Sequence, residues 1–178
     1  MNDPEPRDHW IRAALERFER RLTLYAWRIV GDIEVARDVV QDTFLKLCDQ
    51  ERALVEPHLA EWLYTVCRNR AIDVRRRERR RTEMKDDQWL EGSAAPGGAP
   101  SAAVEVREEA GRILRWLDGL TDNQREVLRL RFQHSLSYRE IAEVTGLTVT
   151  NVGFLIHTGI KALRSRAGVA GDPTVRPA

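Results

Sequence analysis

The chain has 178 residues, 42% of them hydrophobic, with 29 Lys+Arg against 28 Asp+Glu and a formal net charge of +1. That length suits one large domain or two small ones. The apolar content is enough for real cores, though thin if there are two. Global charge says little about partners, and no apolar run approaches the ~20 residues needed to span a bilayer. The first ten residues, MNDPEPRDHW, are polar and acidic and do not read as a secretory signal. Cys48 and Cys67 are far apart, with no CxxC and no Cys/His cluster. They read as buried free thiols in a reducing cytoplasm. The expectation is a cytoplasmic protein without a membrane segment.

In chain order, Ile11, Leu15, Phe18, Leu22, Tyr25 and Ile29 recur every three or four residues. This predicts a helix from about Asp8 to Val30 with one apolar stripe. Gly31 and Asp32 end it and cap the next, expected from about Ile33 to Gln50 with Ala36, Val40, Phe44 and Leu47 inward. Asp38, Gln41, Asp42 and Leu45 fall at i, i+3, i+4 and i+7 and share a second face. Such a face is either solvated surface or a dock for a basic partner. Asp38 and Asp42 without a histidine make a weak metal signal, and no metal or other cofactor is expected.

A short connection, residues 51–57, precedes a third helix from about His58 to Arg81. Leu59, Leu63, Cys67, Ala71 and Val74 mark its buried side. Its end, RNRAIDVRRRERRR from Arg68 to Arg81, holds eight arginines against Asp73 and Glu78. The helix C-terminal dipole accounts for one or two of these. A run this dense is a footprint for a phosphate backbone. Trp62 and Tyr64, just before it, are candidates for stacking on unpaired bases, with Trp62 read in preference as core.

Residues 82–103 lose apolar periodicity and become rich in Gly, Ala, Pro and Ser, which reads as a flexible linker. The first domain is therefore expected at 1–81 and the second at 104–167, followed by a frayed tail at 168–178. The second domain should hold four short helices. Val106, Ala110, Ile113 and Leu117 stripe the first. Thr121 with Gln124, and Ser137 with Glu140, are capping boxes that start the next two. Gly146 suits a left-handed turn, and Thr148 caps a last helix carrying Val152, Leu155, Ile156, Ile160 and Leu163. Ala142, Gly146 and Val152 have the spacing of a DNA-binding helix-turn-helix rather than an ordinary helical hairpin. No stretch alternates like a strand. The fold class is thus all-α, two small helical domains joined by a linker.

The order of these parts resembles the extracytoplasmic-function group of the bacterial sigma-70 family. ARDVVQDTFLKL (Ala36–Leu47) is similar to the family's contact with the RNA polymerase clamp. HLAEWLYTVCRNRAIDVRRR (His58–Arg77) is similar to the part that opens and reads the minus-10 element. LDGLTDNQREVLRLRF (Leu117–Phe132) and SYREIAEVTGLT (Ser137–Thr148) resemble the minus-35 reader. The resemblance implies a factor that binds polymerase core through Asp38, Gln41, Asp42 and Leu45. It implies minus-10 contacts from Arg68, Asn69, Arg75, Arg76 and Arg79, with Asn69 nearest the unpaired strand. It implies minus-35 contacts from Tyr138, Arg139, Thr148, Thr150, Asn151, Phe154, His157 and Lys161. Promoter DNA and polymerase core are the implied partners, an anti-sigma factor a further one. The family's loop for a flipped base maps onto residues 50–57.

One departure stands out. The family's recognition helix commonly carries basic residues where this chain has Gly153, Leu155 and Thr158, which implies fewer phosphate contacts. Gly153 and Gly159 also cost the helix about 1 kcal/mol each relative to alanine. Two other classes compete with the sigma-factor reading. A stand-alone helix-turn-helix regulator would bind a palindrome as a dimer without polymerase. A metal-dependent nucleic-acid enzyme would need Asp38 and Asp42 as ligands, and no nucleophile–base pair or phosphate-cradling glycine loop accompanies them.

Overall fold

A computed structural model describes residues 4–86 and 119–166, with side chains over 8–81 and 119–165. The chain divides into two compact units, Met1–Gly92 and Ser93–Ala178. Among the described residues every regular element is helical.

The first unit comprises α1 (Pro4–Val30), α2 (Ile33–Cys48), α3 (Arg52–Val55), a 3-10 turn (Glu56–His58) and α4 (Leu59–Asp86). Helix α1 ends where Gly31 takes φ +84° and its N–H donates to the Trp27 carbonyl at 2.7 Å. That left-handed turn favours glycine. The Asp32 carboxylate then accepts from the backbone N–H of Glu34 at 2.8 Å and of Val35 at 3.0 Å. It satisfies donors that the first turn of α2 would otherwise leave open.

Helices α1, α2 and α4 pack on Leu22, Leu47 and Leu63, all fully buried, with Ala26, Ala36 and Ala71 allowing close approach. Truncating such a leucine costs about 2–5 kcal/mol. Tyr25 and Tyr64 meet edge to face with centroids 5.3 Å apart. The buried Thr43 hydroxyl donates back to the Val39 carbonyl at 2.8 Å, so its polar atom is not stranded. Burial pushes the Cys67 thiol up to about 12, which keeps it a neutral, inert core group.

Several expectations need correction. Leu15 is 37% exposed and Ile11 half-buried, while Trp10 and Ala14 are buried. The inward stripe of α1 is thus rotated toward Trp10, Ala14, Phe18 and Leu22. Cys48 is exposed, unlike Cys67, because it lies one position past Leu47, the last residue of α2 turned inward. Residues 51–57 are not a plain connection. Arg52 forks onto Glu56 through Nε at 2.9 Å and Nη2 at 2.7 Å, and its guanidinium lies 5.9 Å from the Trp10 ring centroid. This ion pair holds the Arg52 guanidinium's pKa above, and the Glu56 carboxyl's below, its ordinary value. Helix α4 continues past Arg81 to Asp86, and no glycine or proline interrupts TEMKD.

The second unit shows α5 (Asp122–Phe132), α6 (Tyr138–Thr145) and α7 (Val149–Arg166). Both capping boxes form. Thr121 pairs reciprocally with Gln124, and Ser137 with Glu140. Gly146 takes φ +73°, and its N–H donates to the Ala142 carbonyl at 2.8 Å, turning the chain from α6 into α7. Val127, Leu130, Leu136, Ile141 and Val152 are buried between the helices. The helix expected around residues 104–117, most of the linker at 82–103 and the tail at 168–178 lie outside the described residues.

Candidate nucleic-acid and partner interfaces

Three surfaces gather the residues singled out in the sequence. On α2, Asp38 and Gln41 are exposed and Leu45 is 58% exposed. Asp42 is different: its Oδ2 accepts from Arg70 Nε at 2.7 Å, an ion pair that crosses from α2 to α4. Gln41 and Leu45 also rim an apolar groove of about 650 Å³ between α1 and α2, floored by residues such as Leu15, Leu24, Phe44 and Cys48. Sequence reasoning missed the groove because it treated Leu15 and Cys48 as core.

Among the side chains of α4 described, up to Arg81, the last fully buried one is Ala71, and Val74 is half-buried. Every residue from Arg75 to Arg81 is exposed, including Arg75, Arg76 and Arg79. Asn69 is exposed one turn earlier, and Arg68 is half-buried beside it. From Arg75 to Arg81 the arginines lie outside the core and make a largely positive surface. Tyr64 does not belong to this surface. It is 1% exposed, and burial raises its phenol pKa well above the usual value. It packs on Tyr25, so it is not available for stacking on a base. Trp62 is half-buried.

On α7, Thr148 caps the helix, its hydroxyl accepting from the Asn151 N–H at 3.2 Å. Thr150, Asn151, His157 and Lys161 are exposed on one side, with Phe154 64% exposed among them. Val152 and Ile156 are buried on the other. Arg139 is exposed at the start of α6, and Tyr138 is partly so. The Tyr138 ring lies against Gly153, where an added Cβ would sit 3.7 Å from it, and the Arg131 guanidinium lies 5.5 Å from its centroid. Gly159 meets α5 so closely that a Cβ there would be 2.9 Å from Leu128 Cδ1. Gln124 uses its carboxamide oxygen in the α5 cap and its Nε2 to reach Thr158 Oγ1 at 3.0 Å. Of the two glycines that weaken α7 as an isolated helix, only Gly159 is pressed so closely that a side chain would have to displace a neighbour. Thr158 is occupied in holding α7 to α5.

Among the described residues no group of three or more His, Cys, Asp or Glu side chains is placed to hold a metal ion. No helix among them is long and apolar enough to cross a membrane.

The family model for sigma-70 region 2 matches residues 14–81, and the model for sigma-70 region 4 matches residues 110–163. The chain is 31% identical to the ECF RNA polymerase sigma factor SigL of Mycobacterium tuberculosis, over 86% of each chain. It is 33% identical to the ECF sigma factor RpoE of Cereibacter sphaeroides, over 74% of this chain and 69% of that one. The chain belongs to the extracytoplasmic-function group of sigma-70 factors.

A solved sigma factor shares the fold of this one. The RpoE of Bartonella quintana, solved in complex with the anti-sigma factor NepR, superposes with a TM-score of 0.60 at 20% identity, covering 90% of this chain and 98% of that one. The region 2 match contains both the α2 face and the basic run of α4, and the region 4 match contains α5, α6 and most of α7. As a sigma factor the protein directs transcription initiation, with RNA polymerase core and promoter DNA as its partners.

Proposed function

We propose that this sigma factor divides its work among the three surfaces described above. Asp38, Gln41, Asp42 and Leu45 on α2 dock the polymerase clamp. Asn69 and Arg68, followed by Arg75, Arg76 and Arg79, hold the separated minus-10 strand. Thr150, Asn151, Phe154, His157 and Lys161 on α7 lie in the major groove of the minus-35 element, with Thr148 and Arg139 at its edge. Asn151 suits adenine and Phe154 a thymine methyl. Tyr138 supports α7 from beneath through Gly153. The factor supplies binding and placement and no bond-breaking chemistry. It works in the cytoplasm, under an anti-sigma partner of the kind its Bartonella quintana relative was solved with.

One observation carries the reading. The two stretches matched by the family hold the exposed face of α2, the exposed arginines of α4 and the capped helix-turn-helix. The test is transcription from genomic DNA with added polymerase core, followed by mapping of start sites and a footprint with and without core. Protection of a promoter only in the presence of core is expected. Tight dimeric protection of an inverted repeat by the free protein would favour the stand-alone regulator instead.

A further inference from the structure

Within the run from Arg68 to Arg81, Arg70 is placed unlike the arginines beyond Val74. Its Nε donates to Asp42 Oδ2 at 2.7 Å, and the two side chains are 32% and 38% exposed. The residues from Arg75 onward are exposed to the end of the run. Arg70 stands one turn after buried Cys67 and one turn before half-buried Val74, so it lies along the flank of α4 that packs on the rest of the unit. Asp42 is four residues after Asp38 and next to Gln41, on the face assigned to docking. This ion pair therefore joins the helix of the strand-holding arginines to the helix of the docking face.

The chemistry of that bond is directional. A guanidinium held through Nε against a carboxylate shares its charge with that carboxylate, so it offers a phosphate less net positive charge than the exposed arginines do, although its Nη groups keep their own donors. A carboxylate, by contrast, has room for about four hydrogen bonds. One donor from Arg70 leaves Asp42 free to meet a cation on a partner. The same donor holds the Asp42 side chain in one orientation, which lowers the entropy lost on docking.

We infer that Arg70 is a positioning residue for polymerase docking, presetting Asp42, and that it does not belong to the phosphate-binding row that surrounds it in sequence. This rests on the docking role proposed for the α2 face. Removing Arg70 then weakens core binding and leaves the salt dependence of strand binding unchanged, the reverse of what removing Arg75 or Arg76 does.

The experiment uses the full chain with Arg70→Met, which keeps the packing of the side-chain stem, and Arg70→Lys, each alone and combined with Asp42→Asn. Asp38→Lys serves as a control for the docking face. Affinity for polymerase core is read by fluorescence titration below the melting transition of every variant. The salt slope is read from binding of the assembled holoenzyme to a forked promoter fragment. Arg70→Met is expected to weaken core binding roughly tenfold. The double variant with Asp42→Asn should be no weaker than the weaker single variant, as expected of two residues that act through one pair. Arg70→Lys should recover part of the affinity. Unchanged core affinity in Arg70→Met, alongside a loss in Asp38→Lys, overturns the inference and leaves the docking face standing. Unchanged affinity in Asp38→Lys as well removes the docking face itself. Additive losses in the double variant, or a salt slope lowered by roughly 0.7 in Arg70→Met, would make Arg70 an ordinary packing or phosphate residue.

Discussion

Helix α4 and helix α7 are both assigned to nucleic acid, and they are built on opposite terms. From Arg75 to Arg81 every residue of α4 is exposed, and phosphate contacts from such arginines would need no particular packing. Helix α7 is held tightly along its length. Thr148 caps its start, Tyr138 lies against Gly153, Gln124 reaches Thr158, and Leu128 presses on Gly159. Its exposed row from Thr150 to Lys161 carries a single lysine. Phosphate contacts position and tolerate imprecision, whereas base contacts specify and need a fixed register. The difference between the helices fits the two tasks proposed for them.

The widest gap between the two helices should appear in salt dependence. Replacing Arg75, Arg76 and Arg79 with glutamine removes three candidate phosphate contacts on a single strand. At roughly 0.7 per contact, the log–log salt slope for forked-promoter binding should fall by about 2. Lys161→Gln should lower the slope for upstream duplex binding by no more than about 0.9. Titrations of holoenzyme on the two fragments across a salt series measure both. Equal slopes lost on the two sides would collapse the distinction, since α7 would then also be binding mainly by charge.

How far these roles were legible in sequence depends on whether the signal is local. Caps and turns are set by a few adjacent residues, and Asp32, Thr121 with Gln124, Ser137 with Glu140, and Gly146 all act as their chemistry dictates. Burial across a helix is set by what lies opposite. A period of three to four residues fits Ile11 and Leu15 as well as Trp10 and Ala14. Only the packing of α2 and α4 on α1 chooses the second pair. For the same reason the periodicity did not separate buried Tyr64 from half-buried Trp62, or exposed Cys48 from buried Cys67. The Asp42–Arg70 pair joins residues 28 apart in sequence, and neither side's spacing announces the other. Both glycines of α7 looked like defects in sequence; the Leu128 side chain explains Gly159, and nothing in the packing requires glycine at position 153.

A smaller effect should separate base reading from positioning on α7. Asn151 is exposed and sits one turn after the Thr148 cap, which fixes its backbone. Asn151→Ala should relax preference at one upstream base pair by about 1–3 kcal/mol, the range for a bidentate pair. Binding to a panel of single-position promoter variants reads this directly. A uniform loss across the panel would assign Asn151 to the phosphates, and α7 would move closer to α4 in kind.

The finest test sets two glycines of α7 against each other with one substitution. Alanine in place of glycine in a helix interior is favourable by about 1 kcal/mol through backbone entropy. At Gly153 the new methyl would lie 3.7 Å from the Tyr138 ring, an ordinary contact that displaces nothing. Gly153→Ala should therefore stabilise the second unit by about 0.5–1 kcal/mol, while adding a little packing under the exposed row. At Gly159 the methyl would lie 2.9 Å from Leu128 Cδ1, and Leu128 is itself buried. The leucine has to shift within a packed core, and overpacking of that kind costs about 1–3 kcal/mol. The propensity gain is then offset or exceeded, so Gly159→Ala should be neutral or destabilising. A stability difference of 1 kcal/mol moves the melting temperature of a small domain by about 4–8 °C, well within calorimetric reach. Melting curves of the two variants should bracket that of the parent chain, with Gly153→Ala above it. If Gly159→Ala proves the more stable of the two, Leu128 has room to yield. Close packing against α5 would then no longer explain why α7 carries glycine there, and the contrast with α4 would rest on its charge alone.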